Sequence, residues 1–126
     1  MSKLVASIKE AIEKCELRDG MTISFHHHMR NGDYVLNMVL DEIAKMGIKN
    51  LTVNASSIFD VHEPIIGHIK NGVVTGIECN YMGAKVGKAI SEGIMDKPVV
   101  FRSHGGRASD MEKGTSVIDV AFIAAP

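Results

Sequence analysis

The sequence predicts an α/β fold: a three-layer sandwich built on a mostly parallel sheet. Five short apolar runs of strand length alternate with segments whose apolar residues recur at helical spacing, the order that builds βαβ units with right-handed crossovers. Twelve glycines in 126 residues stand mainly at the joints between these segments, which implies short elements and tight connections. With no Trp, four Phe and two Tyr against eight Met, the core must be aliphatic.

Leu4, Val5, Ile8, Ala11, Ile12 and Cys15 repeat at the spacing of one helical face, predicting a helix over 3–16 with Cys15 packed beside Ile12. Asp19-Gly20 ends it, and Met21 to Phe25 forms the first strand. Asp33 is a good N-cap for a second helix, whose apolar face carries Leu36, Val39, Leu40 and Ile43 and whose end is marked by Gly47. The second strand is Leu51 to Ala55. A Ser56-Ser57 loop leads into a helix from about Val61 to Asn71, with Pro64 tolerated in its first turn.

Val73 to Glu78 is the third strand, followed by a helix over about 83–92 that stops at Gly93. Pro98 to Arg102 is the fourth strand, with His104-Gly105-Gly106-Arg107 as its exit loop and a short helix over 108–113. Val117 to Ala124 is the fifth, apolar except for Asp119, which is expected to be buried and structural, held by hydrogen-bond partners. The chain reads as a single α/β domain over 1–126, without repeats or linkers. It ends just after a strand with no covering helix, so a fragment or one half of a larger fold is expected.

Composition narrows the function classes. At 45% hydrophobic and 23% charged residues the chain has a globular balance, and no segment approaches the roughly 18 consecutive apolar residues of a membrane helix. Its formal net charge of -1, with basic residues spread along the chain, gives no surface for neutralising many phosphates, so no nucleic acid and no membrane are expected as partners. The N-terminus lacks the apolar core of a signal peptide, and Cys15 and Cys79 lack any CxxC pairing, so a cytoplasmic location with two reduced thiols is expected.

The candidate site begins at His26-His27-His28. Alternation in an extended backbone sends His26 and His28 one way and His27 the other, so three adjacent histidines cannot converge on one metal. A third ligand would have to come from His62, His68, His104, Glu63, Asp60 or Cys79, at no recognised metal spacing, and no metal is expected; a metal-dependent hydrolase using His26, His28 and His104 is the weaker alternative. The histidines either cap backbone groups at the rim of the sheet or, with the N–H groups of the Arg30-Asn31-Gly32-Asp33 turn, form an anion or carbonyl site.

His104-Gly105-Gly106-Arg107 is either a flexible turn with a solvated arginine or a place where a ligand meets the backbone and Arg107 clamps a carboxylate or phosphate. Ser56-Ser57 either holds a carboxylate or caps the following helix. Glu78, at a strand end, is either a solvated carboxylate or a nucleophile. Each candidate loop follows a strand, so in a parallel sheet all of them open at the carboxyl edge, where such folds bind ligands.

These residues together carry a resemblance. The strings from Ser24 to Asp33, Val53-Asn54-Ala55-Ser56-Ser57, His68 to Thr75, Ser103-His104-Gly105-Gly106-Arg107 and Ile118 to Phe122 closely resemble the α subunit of citrate lyase, the citrate CoA-transferase component, over essentially the whole chain. The resemblance implies a class I CoA-transferase-type fold, similar to sugar-phosphate isomerases and deaminases, and an enzyme of acetyl-CoA metabolism and citrate fermentation. It implies exchange of acetyl for citrate on the CoA-like phosphopantetheine arm of an acyl carrier protein. The other expected partner is the citryl-thioester lyase subunit, with self-association through the last strand as a further expectation.

The resemblance further implies that the chain is the N-terminal part of a longer two-domain CoA-transferase subunit, with the catalytic glutamate in the second domain beyond this sequence. No catalytic residue is assigned here, and the chain alone is expected to be inactive; the alternative to a transferase part is a non-catalytic α/β binding or assembly module. Substrate-binding roles carry over by position to His26, His27, His28, Asn31, Gly32, Ser56, Ser57, His104, Gly105, Gly106 and Arg107, with no permanently bound cofactor.

Overall fold

The computed structural model describes residues 2–27 and 31–125. Five parallel strands, β1 (Thr22–His26), β2 (Leu51–Ala55), β3 (Val74–Cys79), β4 (Val100–Phe101) and β5 (Val120–Ile123), form one sheet in the order β4-β3-β2-β1-β5. The chain steps outward from β1 to β4 and then returns to place β5 on the far side of β1. That reversal makes the carboxyl end of β1 a topological switch point, where open α/β sheets leave a crevice.

Period-two alternation divides the strands between two faces. Ile23 and Phe25 of β1, Val53 and Ala55 of β2, and Ile77 and Cys79 of β3 are buried. They share a core with Leu36, Val39, Leu40 and Ile43 of α2 (Val35–Lys45), Ile65 and Ile69 of α3 (Ile65–Lys70), and Val86 of α4 (Ala84–Ser91). Phe122 extends this layer by stacking on Phe25 with ring centroids 5.4 Å apart. The opposite face is polar: Ser24, Asn54 and Glu78 stand in register across β1, β2 and β3. The helix α5 (His104–Lys113) lies against it through Arg107, so helices flank the sheet on both sides, as expected.

Several boundaries differ from those read in the sequence. The first helix, α1, runs only from Ile8 to Lys14. Ser7 is its N-cap and accepts from the Glu10 N–H, while the Glu10 carboxylate accepts from the Ala6 N–H. This reciprocal cap starts the helix after Leu4 and Val5, leaving Leu4 86% exposed. Cys15 is the exposed C-cap, not a core thiol. The helix expected from Val61 is divided, because Pro64 stands at the N-cap of α3 and a separate 3-10 turn, Asp60–His62, precedes it.

The fourth and fifth strands are shorter than expected because they are the two edges of the sheet. Both residues of β4 are exposed, and Ile123 of β5 is 73% exposed. Asp119 is correspondingly exposed, not buried. It still ties the edge to β1: its carboxylate accepts from the Thr22 N–H at 2.8 Å, and its own N–H donates to the Thr22 carbonyl at 3.0 Å. Among the described residues, no helix is long and apolar enough to cross a membrane.

Candidate functional site

His104-Gly105-Gly106-Arg107 is not an exit loop; it is the first turn of α5. Ser103, in extended conformation, caps the helix by accepting from the Gly106 N–H at 2.9 Å. A Cβ on Gly106 would stand 2.9 Å from that hydroxyl, so the absence of a side chain there permits the cap. The turn places Arg107 over the sheet.

Arg107 is neither solvated nor free. Its guanidinium reaches the polar face, where Nη2 donates to Ser24 Oγ at 2.9 Å and Nη1 donates to Asn54 Oδ1. Asn54 is 1% exposed, and its Nδ2 donates to the buried Ser116 Oγ at 2.9 Å. Burial pulls the Arg107 pKa down from the usual arginine value, with the charge on Glu78 acting the other way. Among the described residues no carboxylate lies within salt-bridge distance of this guanidinium.

A second arginine on the same face is treated differently. Arg102 is clasped by Glu78 at 2.5 Å and Asp110 at 2.6 Å, and these hydrogen bonds raise its pKa. Glu78 is therefore an ion-pair partner, not a solvated strand end.

A cleft of about 340 Å³ opens at the carboxyl edge between the strands and α5. His26, Ser56, Asn80, His104 and Arg107 supply its polar wall, and Ala108 and Met111 its apolar one. The amide of Asn80 is hydrogen-bonded to His104 Nδ1. Of the residues singled out in the sequence, the structure thus brings together His26, Ser56, His104 and Arg107. Gly105, Gly106, Ser57, Asn31 and Gly32 do not line this cleft, and His28 lies outside the described residues.

His27 turns to the other side of the strand, as alternation requires. Its buried ring stacks on His62 with centroids 4.4 Å apart, and its Nδ1 lies 3.5 Å from Asp33 Oδ2. His62, fully buried, accepts from the Phe59 N–H through Nδ1 at 3.0 Å, which leaves Nε2 to donate to the Asp33 carbonyl at 2.9 Å. Burial lowers the His62 pKa, so the neutral ring that this pattern requires is also the favoured one. Asp33 Oδ1 accepts from the Val35 N–H at 2.9 Å, at the start of α2. His62 thereby ties the segment after β1 to the segment after β2.

Sequence reasoning did not select Ser24, Asn54, Asn80 or Ser116. A signal for the first two exists: Thr22, Ser24 and His26, like Thr52, Asn54 and Ser56, are polar at every second position, the mark of a strand with one polar face. Among the described residues, no group of three or more His, Cys, Asp or Glu side chains is arranged to hold a metal ion.

The chain matches the family described as "Citrate lyase, alpha subunit (CitF)" over residues 1–126. The chain belongs to the citrate lyase alpha subunit family. It is 50% identical over 124 residues to the citrate lyase alpha chain of Haemophilus influenzae and 48% identical over 124 residues to that of Escherichia coli, each alignment covering 98% of this chain. The chain spans about a quarter of the length of these relatives, 25% and 24% respectively.

A crystal structure described as the alpha subunit of citrate lyase from Streptococcus mutans in complex with citrate superposes with a TM-score of 0.97 at 64% identity. That match covers 100% of this chain and 25% of the other. Membership of the citrate lyase alpha subunit family accounts for the parallel sheet flanked by helices.

Proposed function

We propose that this chain is the N-terminal part of a citrate CoA-transferase subunit and that its cleft seats a carboxylate of citrate. The observation that carries this reading is the half-buried Arg107 guanidinium, held by the neutral side chains of Ser24 and Asn54 in the wall of a cleft that also offers His26 and His104. A half-buried cation with no paired anion among the described residues is a site for one, because neutral hydrogen-bond partners offset its desolvation less than an anion does. The Streptococcus mutans relative described in complex with citrate supports the choice of anion.

In the whole subunit the reaction is exchange of acetyl for citrate on the phosphopantetheine thioester of an acyl carrier protein, releasing acetate and leaving the citryl thioester for a lyase subunit to cleave. Within this chain the residues bind and orient. Arg107 and the histidines hold a carboxylate, and Ser56 and Asn80 offer hydrogen bonds to the remaining oxygens. Glu78, the nearest candidate for an acyl-accepting carboxylate, is already committed to Arg102 at 2.5 Å, so the glutamate that forms the covalent intermediate belongs to another part of the subunit. The chain alone therefore binds citrate and does not turn over. The setting is the cytoplasm, with acyl carrier protein and lyase subunit as partners.

Two measurements test this. Titration calorimetry should show citrate binding to the chain, weakened about tenfold or more by Arg107→Ala; equal affinities would remove Arg107 from the site. Incubation with acetyl-carrier protein and labelled citrate should give no acyl exchange by the chain alone and exchange by the full-length subunit. Exchange by the chain alone would place the nucleophile here after all.

A further inference from the structure

We propose that Asn54 is a positioning residue that holds the Arg107 guanidinium through an uncharged amide, so that the guanidinium is kept in place without a paired carboxylate and its charge remains available to the ligand. The inference rests on the reading of the cleft as a carboxylate site, and it assigns the strength of that site to a buried residue on the polar face of β2.

Arg102 and Arg107 share one face of the sheet but not one kind of partner. Both project over the polar face, from positions five residues apart near the start of α5. Arg102 is met by two carboxylates, Glu78 and Asp110, which more than offset its charge and make it a clamp between β3 and α5. Arg107 is met by Asn54 and Ser24, the residues that stand in the same cross-strand row as Glu78. One row of the sheet thus presents a carboxylate to one guanidinium and only neutral oxygens to the other.

The neutral holder is itself built. The Asn54 amide is buried and spends both ends, Oδ1 on Arg107 and Nδ2 on Ser116 Oγ, and Ser24 and Ser116 are buried as well. A guanidinium withdrawn from water ordinarily recruits a carboxylate, which gives stronger hydrogen bonds than an amide does. Aspartate has almost the shape of asparagine and would serve stability better at position 54. It would also fill the role that the ligand's carboxylate is to play, and cost the cleft one unit of charge.

Asn54→Asp separates the two roles, because Ser116 Oγ can turn its hydroxyl to donate to the new carboxylate and leave the network satisfied. Thermal denaturation and citrate titration are measured on the chain, with Arg107→Ala alongside. We expect Asn54→Asp to keep or raise the melting temperature while citrate affinity falls about tenfold or more. Affinity equal to that of the original chain in Asn54→Asp, with Arg107→Ala weakened, overturns the role of Asn54 and leaves the cleft reading intact. Unchanged affinity in Arg107→Ala overturns the cleft reading itself.

Should Asn54→Asp fail to fold, Ser24→Asp places the compensating carboxylate against Nη2 and is read the same way.

Discussion

The ring of His62 stands 2.7 Å from where a Cβ would sit at Gly32, and the Phe59 ring stands at 2.8 Å. Gly32 also has φ +83°, in the left-handed region. A side chain here meets two separate obstacles. Gly72, with φ +78° and nothing within 4 Å of its added Cβ, meets only the first. Gly72→Ala should cost about 1–2 kcal/mol, and Gly32→Ala measurably more because the buried rings must move. Chemical denaturation of the two variants checks the difference; equal losses would mean that the His62 contact is easily relieved.

His62 gives stability a pH dependence of definite sign. Its folded pKa lies below the ordinary value of 6.5, so over the interval between them the unfolded chain binds the proton more readily. The stabilisation is complete above 6.5 and is lost as pH falls toward the lowered value. Protonation also removes the Nδ1 acceptor used by the Phe59 N–H. Melting temperature should therefore decline on acidification from pH 7, and His62→Asn, which keeps an acceptor near Nδ1, should be destabilised at pH 7 but show a shallower decline.

The two thiols should react at very different rates. Cys15 is exposed at the end of α1, whereas Cys79 is buried in β3 with its pKa pushed up to about 11, chiefly by desolvation. A chromogenic disulfide reagent at pH 8 should titrate one thiol in the native chain and the second only on unfolding. Rapid reaction of both would show that the sheet opens around Cys79.

Ser103→Ala should remove the side-chain cap of α5 at a cost of about 1 kcal/mol. Because Arg107 lies one turn inside that helix, citrate affinity should fall together with melting temperature. Asp119→Asn, at the opposite edge of the sheet, should lower stability modestly and leave citrate affinity unaltered.

Much of the fold was legible because local patterns and tertiary burial agree. The face of Leu36, Val39, Leu40 and Ile43 is buried as its spacing implies, and His26 and His27 part to opposite sides as strand alternation requires. The misreadings have local causes. Apolar periodicity carried α1 past Ser7, although the Ser7…Glu10 capping pattern was present in the sequence. Two glycines made His104 to Arg107 look like a loop, whereas the Ser103 cap and the hold on Arg107 make it helical.

Asp119 looked buried because the fifth apolar run resembled a central strand, and only the sheet order reveals it as an edge. The partners of Arg107 were beyond local pattern altogether, since Ser24 and Asn54 lie 83 and 53 residues away in the chain.

The cross-strand row of Ser24, Asn54 and Glu78 ties the cleft to the core on the other side of the sheet. Sliding β2 by one residue would bury Asn54 among the aliphatic side chains and turn Val53 outward, so hydrophobic packing selects the one alignment in which the two arginines find their different partners. The apolar layer therefore acts as an assembly jig for the polar one. Substitutions among Ile23, Val53 and Ile77 that preserve stability but loosen this alignment should scatter the charges of the cleft without touching any residue that lines it.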